Sequence, residues 1–273
     1  MSTLVGIDGD LIVYSCGFAA DDEPLAHCLS TVKKMIHKII DKTEATDYKL
    51  FLTGKGNFRE EVATIAKYKG NREDNPKPFH YDAIRKYMVD KHGAIVIEGM
   101  EADDALGIEA SLVEEETTYV LASYDKDLDM IPCYHYVWES KGSRPRAEKF
   151  YSITPVEGLR LFYTQMLTGD STDNIAGLFK LTGTKATKKF KQPLEEMNEE
   201  IDMWNHVRSV YRSAYLNRGI LPDLVDVTID KWLLEIGRLL WIRRTENEEL
   251  WTPPEPTFKD LETIDDTPDI AQS

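Results

Sequence analysis

The sequence predicts an α/β protein, a mostly parallel twisted sheet flanked by helices and followed by a helical module. Three observations predict it. Short apolar runs recur at 4–7, 49–52, 94–98, 119–123 and 134–138. Helical patterns lie between several of them, and beyond residue 153 the pattern is helical only. Parallel neighbours need a long crossover, so strands alternating with helices specify a parallel sheet.

Each element has its own signal. Residues 4–7 form a short apolar run closed by Asp8, as a buried strand requires. Over 25–40, Leu25, Leu29, Val32, Ile36, Ile39 and Ile40 recur at helical spacing. The strand at 49–52 ends in the turn-like Thr53-Gly54-Lys55-Gly56-Asn57, and 58–79 is polar and irregular with a basic centre. A helix over 81–91 precedes the strand at 94–98, Gly99 breaks the chain, and a helix spans about 102–113. Strands follow at 119–123 and 134–138. Helices are expected at 155–167, as a Gly/Thr-rich pair up to about 190, at 204–216 and at 230–243. The expected organisation is an α/β domain over 1–150, including a basic stretch at about 58–92. A helical module over 151–245 and an acidic tail over 246–273 complete it.

Composition narrows the class. With 273 residues, 42% of them hydrophobic, the chain can bury a core, which excludes wholesale disorder. No window approaches the roughly 18 apolar residues of a membrane span. The N-terminus lacks the basic start of a signal peptide. Cys16, Cys28 and Cys133 are scattered without CxxC spacing, so a reduced, cytoplasmic setting is expected. The net charge of -15 argues, as an average, against a polyanionic partner. Placement changes that. Residues 246–273 hold nine acids and one lysine, while bases gather at 67–72, at Arg85 and Lys86, and at 180–191.

The remaining acids form four clusters. They are Asp8-Gly9-Asp10, Glu101-Ala102-Asp103-Asp104, Asp125-Lys126-Asp127 and Asp170-Ser171-Thr172-Asp173. Three of them follow expected strands, and in a parallel sheet the carboxyl ends share one edge, where ligands bind. Crowded carboxylates either raise one another's pKa or recruit cations. An all-oxygen set suits Mg²⁺ or Mn²⁺ rather than zinc. Two such ions about 4 Å apart would clamp the attacking and leaving oxygens of a phosphodiester. Any single Asp after a strand is equally well a helix cap or turn former; the set carries the inference.

Taken together, these motifs resemble bacteriophage 5′→3′ exonucleases of the flap endonuclease superfamily. The resemblance lies in Asp8-Gly9, Tyr68-Lys69-Gly70-Asn71-Arg72, Glu101-Ala102-Asp103-Asp104, Asp125-Lys126-Asp127 and Gly169-Asp170-Ser171-Thr172-Asp173-Asn174-Ile175, and runs from about residue 5 to 190. It implies a PIN-like nuclease fold with a helix-hairpin-helix-like module. It implies metal ligation by Asp8, Glu101 and Asp103 at one site and by Asp125, Asp127 and Asp173 at a second, with Asp104 and Asp170 as further acids of the cluster. Lys69 and Arg72 would contact the scissile phosphate at the base of a helical arch, and Tyr68 could stack on a nucleotide. Gly177, Gly183 and Lys185 would grip duplex phosphates, with a K⁺ ion at that turn. The implied partners are DNA with free 5′ ends, flaps or nicks, and RNA–DNA hybrids. The cytoplasm concerned would be that of an infected bacterium.

Two departures stand out. The family's tight G-x-G-x-K turn is disturbed here by Lys180 and Thr182. Its aspartate after the second strand is missing at Thr53-Gly54, so weaker occupancy of the first metal site, or a preference for Mn²⁺, is expected. Two alternatives stay open at this level. Val5-Gly6-Ile7-Asp8-Gly9-Asp10 also resembles the haloacid-dehalogenase phosphatase motif, with Asp8 as nucleophile. A nuclease-dead DNA-structure-binding protein is the other. The acidic tail suggests no identifiable protein partner.

Overall fold

The computed structural model describes residues 2–72, 75–140, 145–218 and 222–254. Strands β1 (Ser2–Asp8), β2 (Asp47–Thr53), β3 (Ile95–Ile97), β4 (Thr117–Ala122), β5 (Tyr134–Val137) and β6 (Lys149–Ser152) form one sheet in the order β3-β2-β1-β4-β5-β6. All pairings are parallel except β5 with β6. The expected sheet is there, with one added edge strand. β6 is short and mostly exposed, so it carries no buried apolar signature.

Helices α1 (Gly9–Ala19), α2 (Leu25–Lys42) and α4 (Tyr81–His92) belong to one face, and α5 (Ala102–Leu112) to the other. A short α3 (Phe58–Val62) lies between β2 and α4. The sheet's two-residue period divides the core. Val5, Ile7, Leu50, Leu52, Val120 and Ala122 point to the α1/α2/α4 face; Phe51, Tyr119 and Leu121 point to the α5 face. α1 has no clear signal in the sequence, because its apolar residues Leu11-Ile12-Val13-Tyr14 are contiguous and show no helical spacing.

The helical half comprises α6 (Pro155–Thr168), α7 (Leu178–Thr182), α8 (Lys188–Lys191), α9 (Glu200–Leu216) and α10 (Pro222–Leu240). A Thr154/Glu157 capping box with Pro155 at the first position starts α6. α9 and α10 begin earlier than expected; the acids Glu200 and Asp202 sit in the first turn of α9, where they complement the helix dipole. These helices share one apolar core with α5.

The beginning of the acidic segment is docked. Trp251 is buried against Gly237, whose added Cβ would meet the indole at 2.2 Å, and its ring lies 5.3 Å from that of Phe162. Glu248 accepts from Trp241 Nε1 at 2.7 Å. Residues 246–254 therefore belong to the body, and the rest of the segment lies outside the described residues. Among the described residues, no helix is long and apolar enough to cross a membrane.

Candidate metal and phosphate site

Parallel pairing of β1 with β4 sets Ile7 beside Ala122, so the chain leaves both strands at one edge with Asp8 and then Asp125. There the capping expected of acids after strands is found. Asp8 Oδ1 caps α1 by accepting from Leu11 N at 3.1 Å, while Oδ2 accepts from Ser123 Oγ at 2.9 Å. Ser123 Oγ in turn accepts from Asp125 N at 3.0 Å, and Asp125 caps the following 3₁₀ turn through Asp127 N. Asp170 accepts from Thr172 N at 2.6 Å. Capping fixes each carboxylate's orientation; it does not remove the carboxylate from the cleft.

Asp8, Asp103, Asp125 and Glu101 line an open cleft of about 590 Å³, together with Lys69 and Arg72. Burial, followed by the charge of Asp10, raises Asp8 to about 7. Burial and then the charges of Asp8, Asp125 and Glu101 push Asp103 well above the ordinary carboxylate range. Behind this cleft, Glu101, Asp103, Asp127, Asp170 and Asp173 border a second cavity of about 30 Å³. Burial raises Asp127 to about 6 against the opposing hydrogen bond from Lys126. Burial also pushes Asp170 up, but the Thr172 amide and Lys126 outweigh it and hold Asp170 below its usual value.

The basic motif is stitched to the acidic loop. Lys69 N donates to Asp173 O at 2.9 Å, Asn71 Nδ2 to Ser171 O at 2.8 Å, and Arg72 Nε to Thr172 O at 2.8 Å. Asn174 Nδ2 returns a bond to Lys67 O at 3.0 Å. Lys69 and Asn174 both adopt positive φ, 52° and 60°, an uncommon conformation for residues other than glycine. Lys69 pairs with Glu101, and Arg72 with Asp173.

Three expected site residues are placed otherwise. Asp104 is fully buried and faces Arg59, with Nη1–Oδ2 at 2.6 Å and Nη2–Oδ1 at 2.9 Å. It also accepts from the Glu101 and Arg243 amides, so both oxygens are committed and none is left for a cation. Tyr68 is buried, and its hydroxyl lies 2.9 Å from both a Glu101 and an Asp173 carboxylate oxygen, its single proton shared between them; it supports the acids and offers no free ring for stacking. Gly177 packs on the chain itself, since an added Cβ would lie 2.3 Å from Gly169 N. Its small size serves that crossing rather than a phosphate. Gly183, by contrast, has φ 76° and open space around it, and Lys185 is exposed nearby.

The gap after β2 is also structural. A Cβ on Gly54 would lie 2.6 Å from Ile97 O and 2.7 Å from the Glu98 carboxylate, so no aspartate fits there. Instead Asp10 reaches the same corner, accepting from Thr53 N at 2.9 Å and from Arg85 Nη1 at 2.9 Å. The half-exposed Tyr14 lines the cleft beside Asp10. Arg59, Asp10, Arg85, Tyr14 and Gln165 are members of the site region that sequence reasoning did not assign. The Asp8-Gly9-Asp10 spacing was a signal for Asp10 alone.

Oxygen donors dominate the site, and the burial-raised acids fit a place that takes up hard cations. Among the described residues, no three acidic, histidine or cysteine side chains form a ready-made cage. Lys69, Arg72 and Lys126 reach between the carboxylates as counter-charges.

A sequence profile of the family described as 5′-3′ exonuclease, N-terminal resolvase-like domain, matches residues 3–141. No curated protein matches the chain. Among solved structures, the T5 D15 protein co-crystallised with metal ions is 18% identical over 86% of this chain and 99% of its own, with a TM-score of 0.49. The catalytic core of Rad2 in complex with a DNA substrate is 13% identical over 96% and 86%, with a TM-score of 0.44. Human GEN1 in complex with Holliday junction DNA is 11% identical over 95% and 65%, with a TM-score of 0.40. The profile spans half of the chain, over a range that includes both Asp8 and Asp125: the chain belongs to the 5′-3′ exonuclease family.

Proposed function

We propose that this chain is a divalent-metal-dependent 5′→3′ exodeoxyribonuclease with flap endonuclease activity that leaves 5′-phosphorylated products. One observation carries the reading: Asp8, Glu101, Asp103 and Asp125 share an open cleft with Lys69 and Arg72, beside the second acidic group of Asp127, Asp170 and Asp173.

Asp8, Glu101 and Asp103 would hold one of two Mg²⁺ or Mn²⁺ ions, together with Asp125, which lines their cleft rather than standing with Asp127 and Asp173 as expected; Asp127, Asp170 and Asp173 would hold the other. Bound there, such ions would activate water and stabilise the charge of the phosphodiester under attack. Lys69 and Arg72, paired with Glu101 and Asp173, would transfer their contacts to the scissile phosphate. Arg offers the phosphate two parallel donors, and Lys a point charge. Residues 151–245, with Gly183 and Lys185, would follow the duplex, with a K⁺ ion at that turn as part of the same reading. RNA–DNA hybrids belong to the proposed substrate range.

The test compares a 5′-labelled flap, a nicked duplex and an RNA–DNA hybrid, each with and without Mg²⁺. Release of labelled product from the flap or nick only with Mg²⁺ is expected. Asp125→Ala should lose turnover and keep DNA binding; cleavage at the wild-type rate by this variant would overturn the assignment. DNA binding without metal-dependent release by the wild type would favour a DNA-structure-binding protein instead.

A further inference from the structure

Gln165 lies on α6, four residues before Gly169, and is 5% exposed. Its Nε2 donates to Asp127 Oδ1. An ionised carboxylate only accepts hydrogen bonds, so the amide must present its NH₂ group to Asp127 and turn its carbonyl oxygen away. That oxygen, Oε1, is buried and has no hydrogen-bond partner among the described residues. Gln165 lines the inner cavity of about 30 Å³ with Asp127, Asp170 and Asp173. This is close to the space of one water molecule, or of one small ion.

Buried polar atoms are normally satisfied, and an orphan points to an absent partner. A water could satisfy the oxygen but would leave the surrounding carboxylates neutralised only by Lys69, Arg72 and Lys126, three cations for five acids of this cavity. A cation satisfies both at once, and amide carbonyls are ordinary ligands of hard cations. We propose that Gln165 Oε1 is a direct, neutral ligand of a divalent cation held by Asp127, Asp170 and Asp173. The same side chain then orients the site twice, through its NH₂ on Asp127 and its oxygen on the ion. This rests on the metal-dependent reading above and adds to it a ligand from α6, outside the four acidic clusters.

Mn²⁺ binding to the full-length protein, without DNA, tests it by electron paramagnetic resonance titration, alongside melting temperatures in EDTA and in Mn²⁺. Gln165→Met keeps the volume and removes both polar ends. Gln165→Glu keeps an oxygen at the cavity and removes the donor to Asp127. The expected result is a loss of about tenfold in Mn²⁺ affinity for Gln165→Met, with a reduced Mn²⁺-induced rise in melting temperature. Gln165→Glu should bind at least as tightly as the wild type. Wild-type affinity in Gln165→Met would overturn the inference. So would equal losses in both variants, since these would mean that Gln165 only holds Asp127. Should Gln165→Met fail to fold, Gln165→Glu decides alone: weaker binding than wild type overturns the proposal. A wild type that binds no Mn²⁺ defeats the metal reading itself, a failure distinct from the others.

Discussion

Arg59 and Asp104 face each other inside the protein as a two-pronged ion pair, with N–O distances of 2.6 and 2.9 Å. Arg59 also donates to Leu239 O at 2.9 Å and Trp241 O at 2.7 Å. One guanidinium thereby ties α3, the start of α5 and the end of α10 together behind the acid cluster.

Removing that arginine should cost far more than a surface ion pair. Arg59→Met leaves a buried carboxylate without its partner, for which about 3–5 kcal/mol is typical. Burial raises Asp104, but Arg59 outweighs it and holds the acid below its usual value. A depressed pKa contributes stability above the unfolded value of about 3.9, and that stability is lost as pH falls through the folded one. Urea unfolding should therefore show a large loss at pH 7 that shrinks toward pH 3. A loss below about 1 kcal/mol at pH 7 would contradict the pairing.

Lys69 and Arg72 should act on rate more than on binding. Removing one donor to developing charge typically lowers turnover by about 100- to 1,000-fold. Single-turnover cleavage of a 5′ flap by Lys69→Ala and by Arg72→Ala should fall in that range, with DNA affinity changed only a few-fold. Equal losses in affinity and in rate would instead mark them as general phosphate contacts.

Acidity in the cleft has its own signature. Asp8 is raised to about 7 in the folded protein, mainly by burial. Between its unfolded value of about 3.9 and this folded value, the native state binds more protons, so stability falls as pH rises through the window. In EDTA the melting temperature should be higher at pH 5.5 than at pH 7.5. Mg²⁺ should narrow the gap by replacing protons with cations. A melting temperature in EDTA that rises with pH across this window would contradict the burial of Asp8.

Two truncations test the acidic segment. Residues 255–273 carry six acids and one lysine. Deleting them should strengthen DNA binding at low salt, by removing repulsion from phosphates. Deletion from residue 246 removes Trp251 and Glu248 and should cost about 3–5 kcal/mol, the scale of losing a buried tryptophan. Calorimetry on both truncations checks this; equal stability would show the Trp251 contact to be unimportant.

Much of the architecture was legible because its signals are local. Apolar runs at 4–7, 49–52 and 119–123 declare strands, and their parallel pairing follows from the helices between them. Acids directly after strands then fall on one edge, whatever the detailed packing. α1 and β6 were not legible, since one lacks helical spacing of its own and the other lacks a buried face.

The local pattern by itself directed Asp8, Glu101, Asp103, Asp104, Asp125 and Asp127 toward one sheet edge, and only the family resemblance set a basic motif beside them. Only the tertiary structure decided which acids are available there. Asp103 and Asp104 are adjacent in sequence and identical in chemistry, yet one lines the cleft and the other is closed off by an arginine 45 residues away. Successive residues of a helix point about 100° apart, so neighbours meet different surroundings. What surrounds each is set by distant segments, Arg59 and Arg243 for one and Asp8 and Asp125 for the other. Gln165 makes the same point in reverse: a lone glutamine in a helix carries no signal until folding brings its carbonyl to a cavity of carboxylates.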